Sequence, residues 1–170
     1  MNDGQMNFFG DASAGAVKPV KFQIRRSYNA SLETVFDAWL IPYLAGSWMF
    51  GPKSGTQEVI ALENKPLPGG NFLLEVVRAD GQRRLTGTYR EIRRPEKLQC
   101  TIGEESDAAP LTLLTMELTA DEGKTRMKLG FELHPKLADQ ADALRAEWTS
   151  RCKTLAELVE KSSKQTRLLS

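Results

Sequence analysis

The sequence predicts an α+β fold in which a seven-stranded antiparallel sheet packs against one long C-terminal helix, with two short helices following the first strand. Three observations predict it. An alternating apolar segment opens the ordered part of the chain, short period-two runs divided by turn residues fill the middle, and a helical apolar stripe runs from Leu137 to Val159.

Pro19 to Tyr28 alternates at Val20, Phe22 and Ile24, the period of a half-buried strand. Ser31 then offers a helix N-cap, with Thr34 in the place of the usual acid, and Leu32, Val35, Phe36 and Trp39 follow at helical spacing. Pro42 ends or restarts that helix because it lacks an amide proton, and Tyr43, Leu44 and Trp48 form a second short one before Gly51-Pro52. From Thr56 to His134 the chain reads as a meander of six strands, near 56 to 63, 71 to 79, 83 to 93, 97 to 103, 111 to 120 and 124 to 134. Its turns are Pro68-Gly69-Gly70, a tight Asp80-Gly81 hairpin, Arg94-Pro95-Glu96, a looser Glu105 to Pro110 loop and Asp121-Glu122-Gly123. Leu137, Ala141, Leu144, Trp148, Cys152, Leu155 and Val159 are then spaced three or four apart on a helix of more than twenty residues whose other face is charged. Such a helix must bury its stripe against the sheet, since both would otherwise leave an apolar face in water.

The 170 residues suffice for one domain, read as 18–161 between a flexible arm, 1–17, and a flexible tail, 162–170. With 23 basic and 22 acidic side chains and no long run of either sign, the composition argues against a nucleic-acid or anionic-membrane surface. The arm lacks the basic start and apolar centre of a secretion signal, and no apolar run nears the roughly 20 residues that cross a bilayer. The expectation is a cytoplasmic protein. Two cysteines, Cys100 and Cys152, give neither a disulfide framework nor a metal knuckle. His134, the single histidine, has no catalytic or metal-ligating motif around it and reads as a loop residue. Gly69-Gly70 opens no helix and reads as a turn, not a phosphate cradle. No cofactor or metal is expected.

Five of the thirteen aromatic residues fall between Phe36 and Phe50. Taken alone, that density builds either a thick piece of core or the wall of an apolar pocket.

Several segments together carry a resemblance: Val35-Phe36-Asp37-Ala38-Trp39 with Pro42, Trp48-Met49-Phe50-Gly51-Pro52, Pro68-Gly69-Gly70-Asn71-Phe72, Gly87 to Ile92 with Pro95-Glu96-Lys97-Leu98, and Trp148. In this order, from about Lys18 to Lys161, they resemble the START-like (SRPBCC) superfamily, and within it the homologues of the activator of the heat-shock protein 90 ATPase. The resemblance implies a helix-grip fold, a curved antiparallel sheet wrapped around the C-terminal helix, with a cavity closed by the two short helices. Many members bind apolar small molecules there, so the aromatic segment would be a cap, anchored by Phe36 and Trp39, with Trp48, Met49 and Phe50 nearest the opening. Where the family often has a second Trp this chain has Met49, and Glu63-Asn64-Lys65 replaces an Asp-x-Arg, which implies a different pocket mouth.

Strand parity places Phe72, Leu74 and Val76 inward, and groups Tyr89 with Gly87 and Glu91, Leu98 with Cys100 and Ile102, Leu114 with Met116 and Leu118, and Met127 with Leu129 and Phe131. The cavity candidates are Trp39, Trp48, Met49, Phe50, Phe72, Leu74, Tyr89, Glu91, Met116, Met127 and Trp148. Tyr89 and Glu91 are the polar ones. Each is either a handle for a ligand's polar group or a structural residue, Tyr89 at the rim and Glu91 turned to water past a bulge. The leading expectation is a non-catalytic domain that binds an apolar small molecule. The alternatives are a co-chaperone-like or stress-related module whose partner is a heat-shock chaperone, and a cyclase- or hydrolase-like enzyme using polar cavity groups. The sequence decides nothing between monomer and homodimer.

Overall fold

The computed structural model describes residues 18–52, 55–104 and 112–169. The expected N-terminal arm and the Glu105 to Pro110 loop lie outside these residues. In chain order the elements are β1 (Val20–Tyr28), α1 (Leu32–Leu40), α2 (Pro42–Trp48), β2 (Gln57–Asn64), β3 (Asn71–Arg78), β4 (Gly81–Arg93), β5 (Lys97–Glu104), β6 (Thr112–Asp121), β7 (Lys124–Leu133), a short 3-10 turn (Pro135–Gln140) and α3 (Ala141–Leu169). The α+β reading and its element order hold. The helix runs on through 169, over positions read as a tail.

All seven strands form one sheet in the order β1-β7-β6-β5-β4-β3-β2, and each neighbouring pair is antiparallel. β1 and β2 are therefore the two opposite edges. The chain between them must travel the full width of the sheet, and α1 and α2 make that crossing. Ser31 caps α1 by accepting the Thr34 amide (3.1 Å), and Pro42 starts α2 where a free amide would find no partner.

The inner faces follow the expected parities. Phe22, Phe131, Leu114, Cys100 and Tyr89 form one row across β1, β7, β6, β5 and β4, and Phe22 stacks on Phe131 with ring centres 4.6 Å apart. On α3, Trp148, Cys152, Leu155 and Val159 are buried, Ala141 and Leu144 partly so. Leu137 is a correction: it lies on the 3-10 turn before the helix, because Pro135 fixes the chain there.

Two registers depart from expectation. Asp80 and Gly81 do not form the hairpin loop; Ala79 and Asp80 do, with Arg78 opposite Gly81. This register sets Phe72 opposite Gly87, where a Cβ would come 2.5 Å from the Phe72 ring. The alternative, shifted by two, would oppose Phe72 to Tyr89 and crowd two rings. In β4, Tyr89 faces Cys100 but Glu91 faces Gln99, so Arg90 is an extra residue that reverses the parity beyond it. The β6–β7 turn is as expected, with positive φ at both Glu122 (51°) and Gly123 (83°).

α2 approaches β2 so closely that a Cβ on Gly46 would sit 2.3 Å from Val59 Cγ1. Gly46→Ala is expected to destabilise the protein by about 1–3 kcal/mol in urea unfolding. Adding Val59→Ala should return much of that loss; a double variant no more stable than Gly46→Ala would refute the steric cause.

Candidate functional site

Three tryptophans join the cap to the gripping helix. Trp39 on α1 lies parallel to Trp148 on α3 at 6.2 Å, and Trp48 at the end of α2 meets both edge-on, at 4.7 and 6.5 Å. Trp48 donates its Nε1 proton to the Ala38 carbonyl (2.8 Å), so the second helix is tied to the first. Asp37 fixes α1 to the β4–β5 turn by accepting two bonds from Arg94, both 2.8 Å. Phe36, Trp48, Met49 and Phe50 are all buried. Trp48, Met49 and Phe50 do not rim an opening, as expected of them; the outward residues of the segment are Ile41 and Tyr43, 44% and 71% exposed. The reason is the turn at Pro42, which points the hinge, not the end of the cap, at water.

Behind this cap, Trp39, Met49, Phe72, Leu74, Tyr89 and Cys100 enclose about 10 Å³. That is room for roughly one water. Tyr89 donates to Asn64 Oδ1 (2.6 Å), with its ring 5.1 Å from Phe72, and the Trp39 indole nitrogen is buried without an acceptor. The space is nearly filled.

A larger pocket, about 80 Å³, lies against Trp148 and shares Ile102 with the first space. Its apolar walls are Leu85 on β4, Ile102 on β5, and Leu137, Leu144 and Trp148 on the helical side. Glu104, Glu147 and Arg151 give it polar groups. Arg151 is only 3% exposed. Its Nη2 bonds Glu147 (2.9 Å), its guanidinium lies 4.6 Å from the Trp148 ring centre, and its Nε has no acceptor. Burial pushes its pKa below the ordinary arginine value, opposed by the charges of Glu147 and Glu104. Arg83 completes the cluster: Nε donates to Glu104 (2.8 Å), Nη2 lies 3.6 Å from Glu147, and Nη1 donates to the Phe50 carbonyl (3.0 Å). Arg78 also donates to the Phe50 and Gly51 carbonyls (3.3 and 3.2 Å), so two cations hold the end of the cap.

Glu91 is corrected. The bulge at Arg90 turns it to the outer face, where its half-exposed carboxylate lies 3.1 Å from Lys97 Nζ and 3.8 Å from Arg93 Nε. Met116 and Met127 are buried inner-face residues but border neither interior space. His134 caps the 3-10 turn through Nδ1, which accepts the Lys136 amide (3.0 Å). A wider trough of about 640 Å³ runs beside β1, β7 and β6 among Arg25, Arg126, Lys128 and Glu117. It is open, and Arg126 and Lys128 already pair with Asp121 (2.9 Å) and Glu117 (3.3 Å), which makes it a solvated charged face.

The residues missed from the sequence are Arg83, Glu104, Glu147 and Arg151. Arg151 had a signal, because Leu144, Trp148, Arg151 and Leu155 are spaced four, three and four apart, so the arginine shares the buried stripe. Arg83 and Glu104 had none, since each is one charge among many on alternating strands. Asn64, the partner of Tyr89, was noted only as part of a departure. Among the described residues no group of three or more His, Cys, Asp or Glu is placed to hold a metal ion, and no helix is long and apolar enough to cross a membrane.

The sequence model of the activator of Hsp90 ATPase homolog 1-like proteins matches residues 29–160. No curated protein matches the chain. Among solved structures, an Arthrobacter aurescens protein is similar with a TM-score of 0.70 and 20% identity, over 83% of this chain and 86% of that one. A Chromobacterium violaceum protein gives 0.68 and 24%, over 84% and 99%. An AHSA1-like protein from Aeromonas hydrophila gives 0.66 and 19%, over 84% and 94%. At these identities the likeness is one of fold.

Burial pushes the Cys100 thiol up to about 12 and the Cys152 thiol up to about 11 from the usual 9.0, and it also raises Tyr28 and Tyr89. Both thiols are therefore protonated and inert at neutral pH. Between the unfolded and folded values the native state holds protons that the unfolded chain has released, so stability is full below about pH 9 and is lost as pH rises toward 12. Each such group contributes a slope of up to about 1.4 kcal/mol per pH unit. Urea midpoints measured from pH 7 to 11 should stay level and then fall; a level profile to pH 11 would contradict this assignment.

Proposed function

The chain belongs to the family of activator of Hsp90 ATPase homolog 1-like proteins, and from that premise we propose that it is a non-catalytic binding domain for an apolar small molecule. The ligand sits between α3 and strands β4 to β6. The observation that carries this reading is the pocket of about 80 Å³ with apolar walls on both the sheet and the helix. An unfilled space in an otherwise close-packed interior loses dispersion contacts along its walls, and an apolar guest restores them. The pocket is well under the roughly 300 Å³ of a site for a drug-sized molecule. It therefore takes a small ring or a short chain, and a longer ligand requires the cap or the 3-10 turn to move outward.

Ile102 borders both this pocket and the nearly filled space behind the cap, and the Trp148 ring is the wall on which a guest would lie. Leu144, half-buried on the same helix, closes the outer side. Polar side chains, Glu104, Thr112, Gln140, Glu147 and Arg151, share the lining with the apolar walls, so the reading is of an apolar body with a polar contact.

Native mass spectrometry of the purified protein should retain a bound small molecule, and a neutral hydrophobic dye should be taken up with saturation. Leu144→Trp, which fills the pocket, is expected to reduce dye affinity about tenfold or more with little change in unfolding midpoint. Uptake unaffected by filling this pocket would place the site elsewhere.

A further inference from the structure

We infer that the pocket between α3 and strands β4 to β6 takes an uncharged ligand whose polar end is a hydrogen-bond acceptor, received at Arg151, and discriminates against carboxylates and phosphates. The inference rests on the proposed binding function and adds the chemistry of the ligand's head.

A buried arginine in an apolar pocket ordinarily points to an anionic ligand. Here the charge count points the other way. Arg83 and Arg151 carry two positive charges and Glu104 and Glu147 two negative ones, and Arg78, which shares the Phe50 carbonyl with Arg83, has Asp80 acting on it, so the cluster of described residues is already neutral. Glu147 is shared: the same Oε2 lies 2.9 Å from Arg151 Nη2 and 3.6 Å from Arg83 Nη2. A second carboxylate within bonding range of Arg151 would stand beside that oxygen, and two like charges in a partly desolvated site oppose each other strongly. What the cluster lacks is an acceptor. Arg151 Nε is buried with none, an unmet donor whose desolvation is uncompensated. A neutral carbonyl, amide or ether oxygen would satisfy it without upsetting the balance. The guanidinium plane is held by Glu147 on one side and by the Trp148 ring at 4.6 Å, in a residue that lines the pocket, so the donor is preplaced at its wall. The apolar body of the same ligand meets Leu85, Ile102 and Leu144.

Benzamide and benzoate are nearly isosteric and differ chiefly in charge, and toluene keeps the ring without an acceptor or a charge. In titrations of the labelled full chain followed by NMR at the Trp148, Leu85 and Ile102 signals, benzamide should bind about tenfold tighter than either benzoate or toluene. Glu147→Gln, made at a half-exposed side chain, leaves the cluster with one excess positive charge and should bring benzoate level with or above benzamide. Arg151→Met should make benzamide and toluene alike; should that chain fail to fold, Glu147→Gln carries the test. Tighter binding of benzoate by the unaltered protein, equal binding of toluene and benzamide, or an unchanged order in Glu147→Gln would each overturn the inference. If all three leave the signals unmoved while a neutral dye is still taken up, the head-group inference falls and the binding function stands. If the dye is not taken up either, both fall.

Discussion

The first two strands of this chain are the opposite edges of one sheet, and everything between them must cross that sheet. A crossing of this width cannot be a loop alone, because its backbone amides and carbonyls would lie over an apolar surface without partners. Two short helices satisfy them internally. The helices in turn need large apolar side chains facing down, which accounts for four of the five aromatic residues in these fifteen positions, Phe36, Trp39, Trp48 and Phe50. Trp39, Trp48 and Trp148 then lock the crossing to α3, and the core on which the pockets depend is set by that contact.

The interior is unevenly filled. On the cap side, Gly46 lets α2 come down on the Val59 side chain and Gly87 lets the Phe72 ring approach strand backbone closely, and almost no space remains. On the far side, α3 and the 3-10 turn stand off from β4 to β6, and the space between them is occupied at one end by charge. Arg83 connects the sides. One guanidinium holds the Phe50 carbonyl of the cap, Glu104 of the sheet and Glu147 of the helix, so the end of the cap cannot lift without disturbing the groups around the pocket.

Much of the fold was legible because its signals are local. Period two and period 3.6 identify strands and helices, Ser31 and Pro42 mark helix starts, and Glu122-Gly123 has the conformational freedom that a two-residue hairpin requires. Parity placed Phe72, Leu74, Tyr89, Met116 and Met127 inward correctly for the same reason. At Glu91 parity alone left two places open, inward with Tyr89 or turned to water past a bulge, and the extra residue at Arg90 gives the second, since one inserted residue reverses every later side chain. Nor did parity say which inward residues border open space.

The sequence by itself determined the elements, their order and the faces they bury, because hydrophobic periodicity and turn chemistry act over a few residues. Only the tertiary structure decided the hairpin register that seats Phe72 over Gly87, the outward turn of Glu91, and the meeting of Arg83, Glu104, Glu147 and Arg151 at one pocket. The space behind the cap and the space beside α3 are differences between large packed volumes. Such differences are set by how distant side chains fit together, which no local pattern records.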